Sequence, residues 1–151
     1  MKRTFLTLIC LICWNTACQQ EPFTWRALDF QNLSDVLVQF RTRGIQLYER
    51  GIQNFDGYNH PNTWAGYNTY EPLRLSYPIQ VSWRSGDMLG ETKEYNKIPG
   101  IPEGQEVVET AGFLIVGLSP DYELRIFFLP GERRHYELAD QIIRGEVPLP
   151  E

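Results

Sequence analysis

Hydrophobic and polar residues alternate along much of the chain with a period of two. The clearest case is residues 79–84, where Ile79, Val81 and Trp83 are separated by polar side chains. Successive side chains of a β-strand point to opposite faces of a sheet, so this pattern is typical of a strand with one buried face. The sequence therefore predicts a strand here, with Trp83 in the core.

Two apolar runs further along the chain predict a β-hairpin. Residues 113–116 are all apolar, and residues 122–129 are rich in aromatic and β-branched side chains. Ser119, Pro120 and Asp121 lie between the runs and are residues that favour a turn. We expect Pro130 and the glycine after it to end the second strand.

The region from residue 36 to residue 47 has two interpretations. Val36, Val38 and Phe40 alternate with other residues, and Gly44 separates them from a second alternating run at residues 45–47. This pattern favours two strands divided at Gly44. A helix beginning at Ser34 is the alternative, but it would leave Val38 away from its apolar face.

The last apolar segment has the spacing of a helix. Leu138, Ala139, Ile142 and Ile143 recur at helical intervals, and Gly145 follows as a typical helix end. A final strand is the alternative. We predict a mainly β protein, either an antiparallel β-sandwich or a curled sheet, with a short C-terminal helix.

The beginning of the chain has the features of an export signal. Lys2 and Arg3 precede an apolar stretch over residues 5–14. About ten apolar residues are too few to cross a bilayer, which takes about 20 in a helix. We therefore expect a signal peptide, and a buried N-terminal helix is the alternative.

All three cysteines, Cys10, Cys13 and Cys18, lie at this end of the chain. Residues 15–18, ending in Ala17 and Cys18, resemble the lipobox of bacterial lipoproteins, although Asn15 stands where the family usually has leucine. The resemblance implies that Cys18 becomes the acylated first residue of the mature protein. Ordinary cleavage after Ala17, which would leave a free thiol, is the alternative.

This resemblance defines the expected organisation of the chain. Residues 1–17 would be the signal peptide, 18–24 the lipidated cysteine and a short tether, and 25–151 one globular domain, a size that needs no disulfide. Acyl chains on Cys18 would attach the protein to a membrane. Gln19 and Gln20 replace the aspartate that often retains lipoproteins in the inner membrane, so in a Gram-negative host the family pattern implies the outer membrane, facing the periplasm.

Segment 55–70, with the sequence FDGYNHPNTWAGYNTY, is rich in tyrosine, asparagine and glycine and has no apolar period. We interpret it as a loop, and these residue types are common in binding loops. Its candidate partner-binding residues are Tyr58, Asn59, Trp64, Tyr67 and Asn68. Packing of the aromatic rings against the end of the β core is the alternative.

Residues suited to catalysis or metal binding are scarce. Asp56 and His60 have the spacing of two ligands on a helix, but Gly57 and Pro61 argue against a helix there. The acidic residues Glu103, Glu106 and Glu109 fit a solvated edge better than an acid–base pair. We expect no catalytic site, no metal and no cofactor.

The charge of the chain bears on its partners. The formal net charge is −5, and the basic residues are scattered. Nucleic acid is therefore a poor candidate, and an anionic lipid surface should repel the domain. We expect a protein partner, with the acyl chains on Cys18 making the membrane attachment.

Residues 75–131 resemble small uncharacterised lipoproteins of proteobacteria. The residues that carry this resemblance are Pro78, Trp83, Ser85, Tyr95 and Pro120, which look structural. Some similar lipoproteins are immunity proteins that neutralise secreted antibacterial toxins. The resemblance implies a non-catalytic binding module of this kind, and a structural or assembly accessory of an envelope complex is the alternative function.

Overall fold

A computed structural model describes residues 26–46, 56–69 and 72–151. Cys18, the expected leader and the expected tether lie outside these residues. The elements are β1 (Arg26–Asn32), β2 (Val38–Gln46), β3 (Asp56–Asn59), β4 (Thr63–Thr69), β5 (Leu73–Ser85), β6 (Met88–Leu89), β7 (Lys93–Tyr95), β8 (Val107–Val108), β9 (Gly112–Leu118), β10 (Leu124–Pro130) and α1 (Tyr136–Arg144).

The strands form two sheets. Sheet A has the order β10-β9-β1-β4, in which β1 and β9 are parallel and the other pairs are antiparallel. Sheet B has the order β3-β2-β5-β6, and β7 and β8 pair with other parts of the long strand β5. All pairs in sheet B are antiparallel.

The main hydrophobic core lies between the inner faces of the two sheets. Phe30 of β1 stacks on Phe40 of β2, with their ring centroids 4.1 Å apart. Ile79, Val81 and Trp83 are buried in the same core, as their alternation predicts. The fold is thus a β-sandwich with one mixed and one antiparallel sheet, which confirms the predicted fold class.

A second hydrophobic core lies on the outer face of sheet A, beneath α1. Ile142 and Ile143 of the helix pack against outward-facing residues of β9 and β10, including Phe127. Gly117 allows this close approach, because a β-carbon there would lie 2.3 Å from Ile143. With both faces covered, every residue of β9 is buried, which explains its continuous apolar run.

The predicted hairpin and C-terminal helix are both confirmed. Strands β9 and β10 pair in antiparallel register, and the backbone amide of Tyr122 donates to Ser119 across the turn. Helix α1 ends at Gly145, which adopts a left-handed conformation with φ of 79°. Leu138 differs from the expected apolar face, since it is exposed.

The predicted division at Gly44 is wrong. Strand β2 continues through Gly44 and pairs with β5 on both sides, with a shift of register between Arg43 and Ile45. Gly44 has a φ of 80°, which glycine adopts readily, so this irregularity bends the strand instead of ending it. Leu47 lies outside the described residues.

The predicted loop over segment 55–70 is also wrong. Its described residues form β3 and β4, joined by a tight turn at residues 60–62. β3 pairs with β2 and β4 pairs with β1. The pairing partners supply regular backbone hydrogen bonds, and these outweigh the loop-favouring composition.

Two of the residues that carry the resemblance to proteobacterial lipoproteins, Ser85 and Tyr95, form hydrogen bonds between separate parts of the fold. The Ser85 hydroxyl donates to the backbone carbonyl of Leu37 at 2.6 Å. The Tyr95 hydroxyl in sheet B donates to the carbonyl of Leu124 in sheet A at 3.1 Å. Burial, with the nearby Glu123 carboxylate, raises the pKa of Tyr95 to about 12, so this link between the sheets keeps its proton at neutral pH.

Candidate protein-binding surface

The predicted binding residues lie on two strands at the same edge of the sandwich. Strands β3 and β4 are the terminal strands of sheets B and A, and the turn at residues 60–62 connects them. Segment 55–70 therefore crosses from one sheet edge to the other. This placement divides the four candidate residues whose side chains are described between two faces and the interior.

Asn59 differs from expectation because it is only 5% exposed. Its side-chain amide donates to the backbone carbonyls of Phe30 and Thr63, both at 3.3 Å. Its own backbone carbonyl accepts from the side chain of Asn32 at 3.2 Å. The hydrogen bonds of Asn59 thus connect the β3–β4 turn to β1, and its side chain is directed into the protein.

Tyr58 lies on the outer face of sheet B, opposite Gln39 of β2. It is 71% exposed, so most of its surface is accessible. An exposed tyrosine offers a large apolar area with a hydroxyl at its tip, and such residues are enriched at protein interfaces. Tyr58 is accordingly available for binding.

Trp64 and Asn68 lie on the opposite side of the molecule, on the outer face of sheet A. The partly buried Trp64 ring packs against Tyr136 at the start of α1, with ring centroids 4.9 Å apart. The exposed Asn68 accepts a hydrogen bond from Arg134 at 3.0 Å. The backbone of Tyr67 pairs with Leu28, and its side chain lies outside the described part of the structure.

A buried carboxylate, Asp29 of β1, lies opposite Gly66 of β4 on the outer face of sheet A. It is 3% exposed, and its carboxylate is 3.6 Å from the Arg134 guanidinium. Gly66 leaves room for it, because a β-carbon there would lie 1.9 Å from the Asp29 carboxylate. Burial raises the pKa of Asp29, and the positive charge of Arg134 partly offsets this.

Gln31 is the second buried polar residue on the outer face of β1, next to Asp29. It lies beside Trp64 in the sheet register, and its side-chain nitrogen donates to Asp140 of α1 at 3.0 Å. Its side-chain oxygen is buried without a hydrogen-bond partner among the described residues. The alternation of Asp29 and Gln31 with Leu28 and Phe30 could have revealed β1, but nothing in it indicates that both outward residues are buried.

Among the described residues, the backbone of β4 pairs with another strand on one side only. The Leu33 amide donates to Leu118 of β9, whereas the Asn32 carbonyl accepts from Asn62 on the β4 side. Since backbone groups alternate in direction along β1, Leu28, Phe30 and Asn32 point towards β4. The backbone groups of their register partners on β4 point towards β1. The residues between these partners alternate with them, so the amides and carbonyls of Trp64, Gly66 and Asn68 point away from the sheet.

Strand β4 also differs from the other sheet edges. It is seven residues long and contains no charged residue and no proline. In contrast, β3 has four residues, and β10 ends in Pro130 and donates from Phe128 to the carbonyl of Pro99. Edge strands are usually protected by charge, proline or short length, so β4 is the least protected edge in the described part of the chain.

Metal binding by Asp56 and His60, which was considered for segment 55–70, gains no support. Asp56 and His60 lie at the two ends of an extended strand and turn, not on a helix. Within the described residues, no three histidine, cysteine, aspartate or glutamate side chains are grouped as a metal site would require. Glu103, Glu106 and Glu109 are exposed, as expected of a solvated edge.

Comparison with other proteins gives no further guide. No protein-family model, no curated protein and no solved structure matches this chain. In residues 26–46, 56–69 and 72–151, no helix is long and apolar enough to span a membrane.

Proposed function

We propose that the protein is a non-catalytic binding module, anchored in the bacterial cell envelope through acyl chains on Cys18, that captures a protein partner at the free edge of β4. The observation that carries this proposal is the unprotected edge: seven uncharged residues that pair, among the described residues, with β1 alone. A partner strand can add to such an edge through backbone hydrogen bonds.

The side chains around β4 are suited to give this binding specificity. In strand addition the backbone supplies affinity and the flanking side chains select the partner. Trp64 and Asn68 flank the exposed Gly66 on the outer face of sheet A. Both are held by contacts to Tyr136 and Arg134, so little side-chain freedom would be lost on binding.

The location of the protein follows from the lipobox resemblance. Acylation of Cys18 would place the domain at the envelope, and Gln19 and Gln20 favour the outer membrane, facing the periplasm. Neutralisation of a secreted toxin, which the second resemblance implies, would be one form of partner capture. The proposal predicts that the toxin supplies the added strand.

A proline at residue 68 tests the edge directly. Asn68→Pro removes one outward amide and leaves the β1–β4 hydrogen bonds in place, because Asn68 points away from the sheet. The matched control is Asn68→Ala, which loses the same contact to Arg134 but keeps the amide. Proteins that copurify with the full-length chain from its own cells are quantified by mass spectrometry.

We expect a partner that is retained by wild type and Asn68→Ala to fall about tenfold with Asn68→Pro, since one lost interfacial hydrogen bond is worth about 1.4 kcal/mol. Thermal melts of both variants check that the fold is kept. Equal retention by the proline and alanine variants would exclude binding through the β4 edge.

The anchor has a separate test. Radiolabelled palmitate should be incorporated into the wild-type protein, and Cys18→Ser should abolish the label and release the protein from the membrane fraction. Cys13→Ser is the matched control, because Ile12 is too bulky for the position before a cleavage site. Label that persists in Cys18→Ser would refute acylation at this cysteine.

A further inference from the structure

The outer face of sheet B carries a row of four side chains that crosses the whole sheet. The register places Tyr58 of β3 opposite Gln39 of β2, Gln39 opposite Arg84 of β5, and Arg84 opposite Leu89 of β6. Cross-strand partners project from the same face, so all four side chains point outward. Neither sequence patterning nor the proposed role of β4 accounts for this row.

The two ends of the row are the most exposed large apolar side chains in the described part of the protein. Tyr58 is 71% exposed and Leu89 is 72% exposed. They stand on opposite edges of sheet B, with the polar pair Gln39 and Arg84 between them. Exposed apolar side chains that frame a polar centre are typical of an interaction surface.

The centre of this face is basic, although the whole chain has a net charge of −5. Arg41 and Arg43 continue the outward face of β2 beside Arg84, and all three are exposed. Asp56 of β3 lies opposite Arg41 in the register. Glu94 of β7 lies opposite Gln80 of β5, and its carboxylate accepts a hydrogen bond from the Gln80 side chain. Arg84 is thus the positive charge within the row itself, on a protein whose net charge is negative.

The exposed Arg84 guanidinium makes one hydrogen bond within the described part of the protein. Its Nε donates to the carbonyl of Gly86 at 2.8 Å, which fixes the guanidinium. No described residue accepts a hydrogen bond from its two terminal nitrogens. A guanidinium with two free, parallel donors is the group that binds a carboxylate in bidentate fashion.

A shallow depression lies at the same place. It has a volume of about 240 Å³, and its lining includes Gln39, Arg41, Arg84 and Leu89. Such a space accepts a side chain, whereas a flat lipid surface would not fill it. The negative net charge also opposes approach to an anionic bilayer, so the shape and charge together favour a protein ligand.

The spacing of the row defines the ligand further. Tyr58 and Leu89 are separated by three strand spacings, about 14 Å at about 4.8 Å each. In an extended peptide, residues i, i+2 and i+4 share one side and span about 14 Å, at about 3.4 Å per residue. A peptide crossing the sheet can therefore place its first and fifth side chains on Tyr58 and Leu89, and its third beside Arg84.

We propose that the outer face of sheet B binds an extended acidic segment of a partner protein, in which an acidic residue lies between two apolar residues at two-residue intervals. The acidic side chain pairs with Arg84, and the apolar side chains contact Tyr58 and Leu89. This surface is on the opposite side of the sandwich from Trp64 and Asn68, so it would act independently of binding at β4.

The test uses the full-length chain and fluorescent peptides containing Leu-Ser-Glu-Ser-Leu. Fluorescence anisotropy should show binding, and replacing the central glutamate of the peptide with glutamine should weaken it about tenfold, as expected for a lost charge-assisted pair. Arg84→Gln should weaken the glutamate peptide by the same factor, and the matched control Arg133→Gln, an exposed arginine outside sheet B, should not.

A charge exchange gives the sharpest result. Arg84→Glu should lose the glutamate peptide and bind Leu-Ser-Lys-Ser-Leu, which wild type should not bind. Leu89→Ser should weaken the glutamate peptide severalfold, whereas Leu149→Ser, an exposed leucine in the C-terminal segment, should have no effect. Trp64→Ala should also leave this affinity unchanged.

Two results would overturn the proposal. One is equal affinity of wild type and Arg84→Gln for the glutamate peptide. The other is an absence of peptide binding together with sedimentation on vesicles of phosphatidylcholine and phosphatidylglycerol that depends on Arg84, which would make the face a lipid-binding surface.

Discussion

The outer faces of the two sheets differ in what covers them. On sheet A, helix α1 and the residues before it cover the face, so that even Asp29 and Gln31 are buried. On sheet B, no described element covers the row from Tyr58 to Leu89, and the equivalent polar positions reach solvent. The comparison shows that an outward polar residue on a strand need not be exposed, because exposure depends on what packs over the sheet.

The difference has its origin in the apolar residues of β9 and β10. Phe113, Ile115, Phe127 and Leu129 point outward from sheet A and require a cover, which the Ile142 and Ile143 side chains provide. The outward positions of β2 and β5 are polar and need none. Asp140 of the helix accepts a hydrogen bond from Gln31 of β1, and Arg134, before the helix, lies against Asp29.

Truncation of a core residue under α1 should give the largest difference between the faces. Phe127→Ala should lower the free energy of unfolding by about 3 to 5 kcal/mol, as expected for a fully buried aromatic residue. Arg43→Ala, on the outer face of sheet B, should change it by less than about 0.5 kcal/mol. Urea unfolding measures both, and similar costs would contradict the assignment of a second core.

A smaller difference is expected between two aromatic residues of segment 55–70. Trp64→Ala should cost about 1 to 2 kcal/mol, since it loses partial burial and the contact with Tyr136. Tyr58→Ala should cost less than about 0.5 kcal/mol, because the ring is exposed. In thermal melts only the Trp64 variant should shift by several degrees, and an equal shift in both would show that the two faces are not distinct.

The buried carboxylate on sheet A predicts a pH dependence that sheet B should lack. The pKa of Asp29 in the folded protein is raised above its ordinary value of 3.8. Its contribution to stability is therefore complete below that value and is lost as the pH rises through the folded-state pKa. Since asparagine does not titrate, Asp29→Asn should gain stability relative to wild type as the pH rises.

Urea unfolding from about pH 3 to about pH 7 would measure this gain, and the range covers the ordinary titration of aspartate. Asp140 also has a pKa raised by burial, but it is present in both proteins and its effect cancels in the comparison. Asp87→Asn, in the exposed turn between β5 and β6, is the matched control. A stability difference that does not vary with pH would contradict the role of Asp29.

Part of the fold followed from local sequence signals. The alternation before Arg84, the apolar runs around Ser119 and the helical spacing before Gly145 all predicted the observed elements. Each signal lies within one element or one turn, where the buried face of the strand or helix dictates which residues are apolar.

The candidate site was less predictable. The tyrosine, asparagine and glycine content of segment 55–70 suggested a loop, yet pairing with β1 and β2 makes it two strands. Asn59 resembled a binding residue but fastens a turn. Asp29, Gln31 and Arg134 gave no signal, since they are brought together from β1 and from the residues before α1.

The sequence by itself determined the mainly β fold, the hairpin of β9 and β10, and the C-terminal helix, because the period of apolar residues reflects the face that each element buries. Only the tertiary structure decided which sheet the helix covers, which strands lie at the edges and which side chains meet across strands. These depend on contacts between residues far apart in the chain, such as Tyr58 with Gln39 and Gln39 with Arg84, and local patterns contain no information about such pairings.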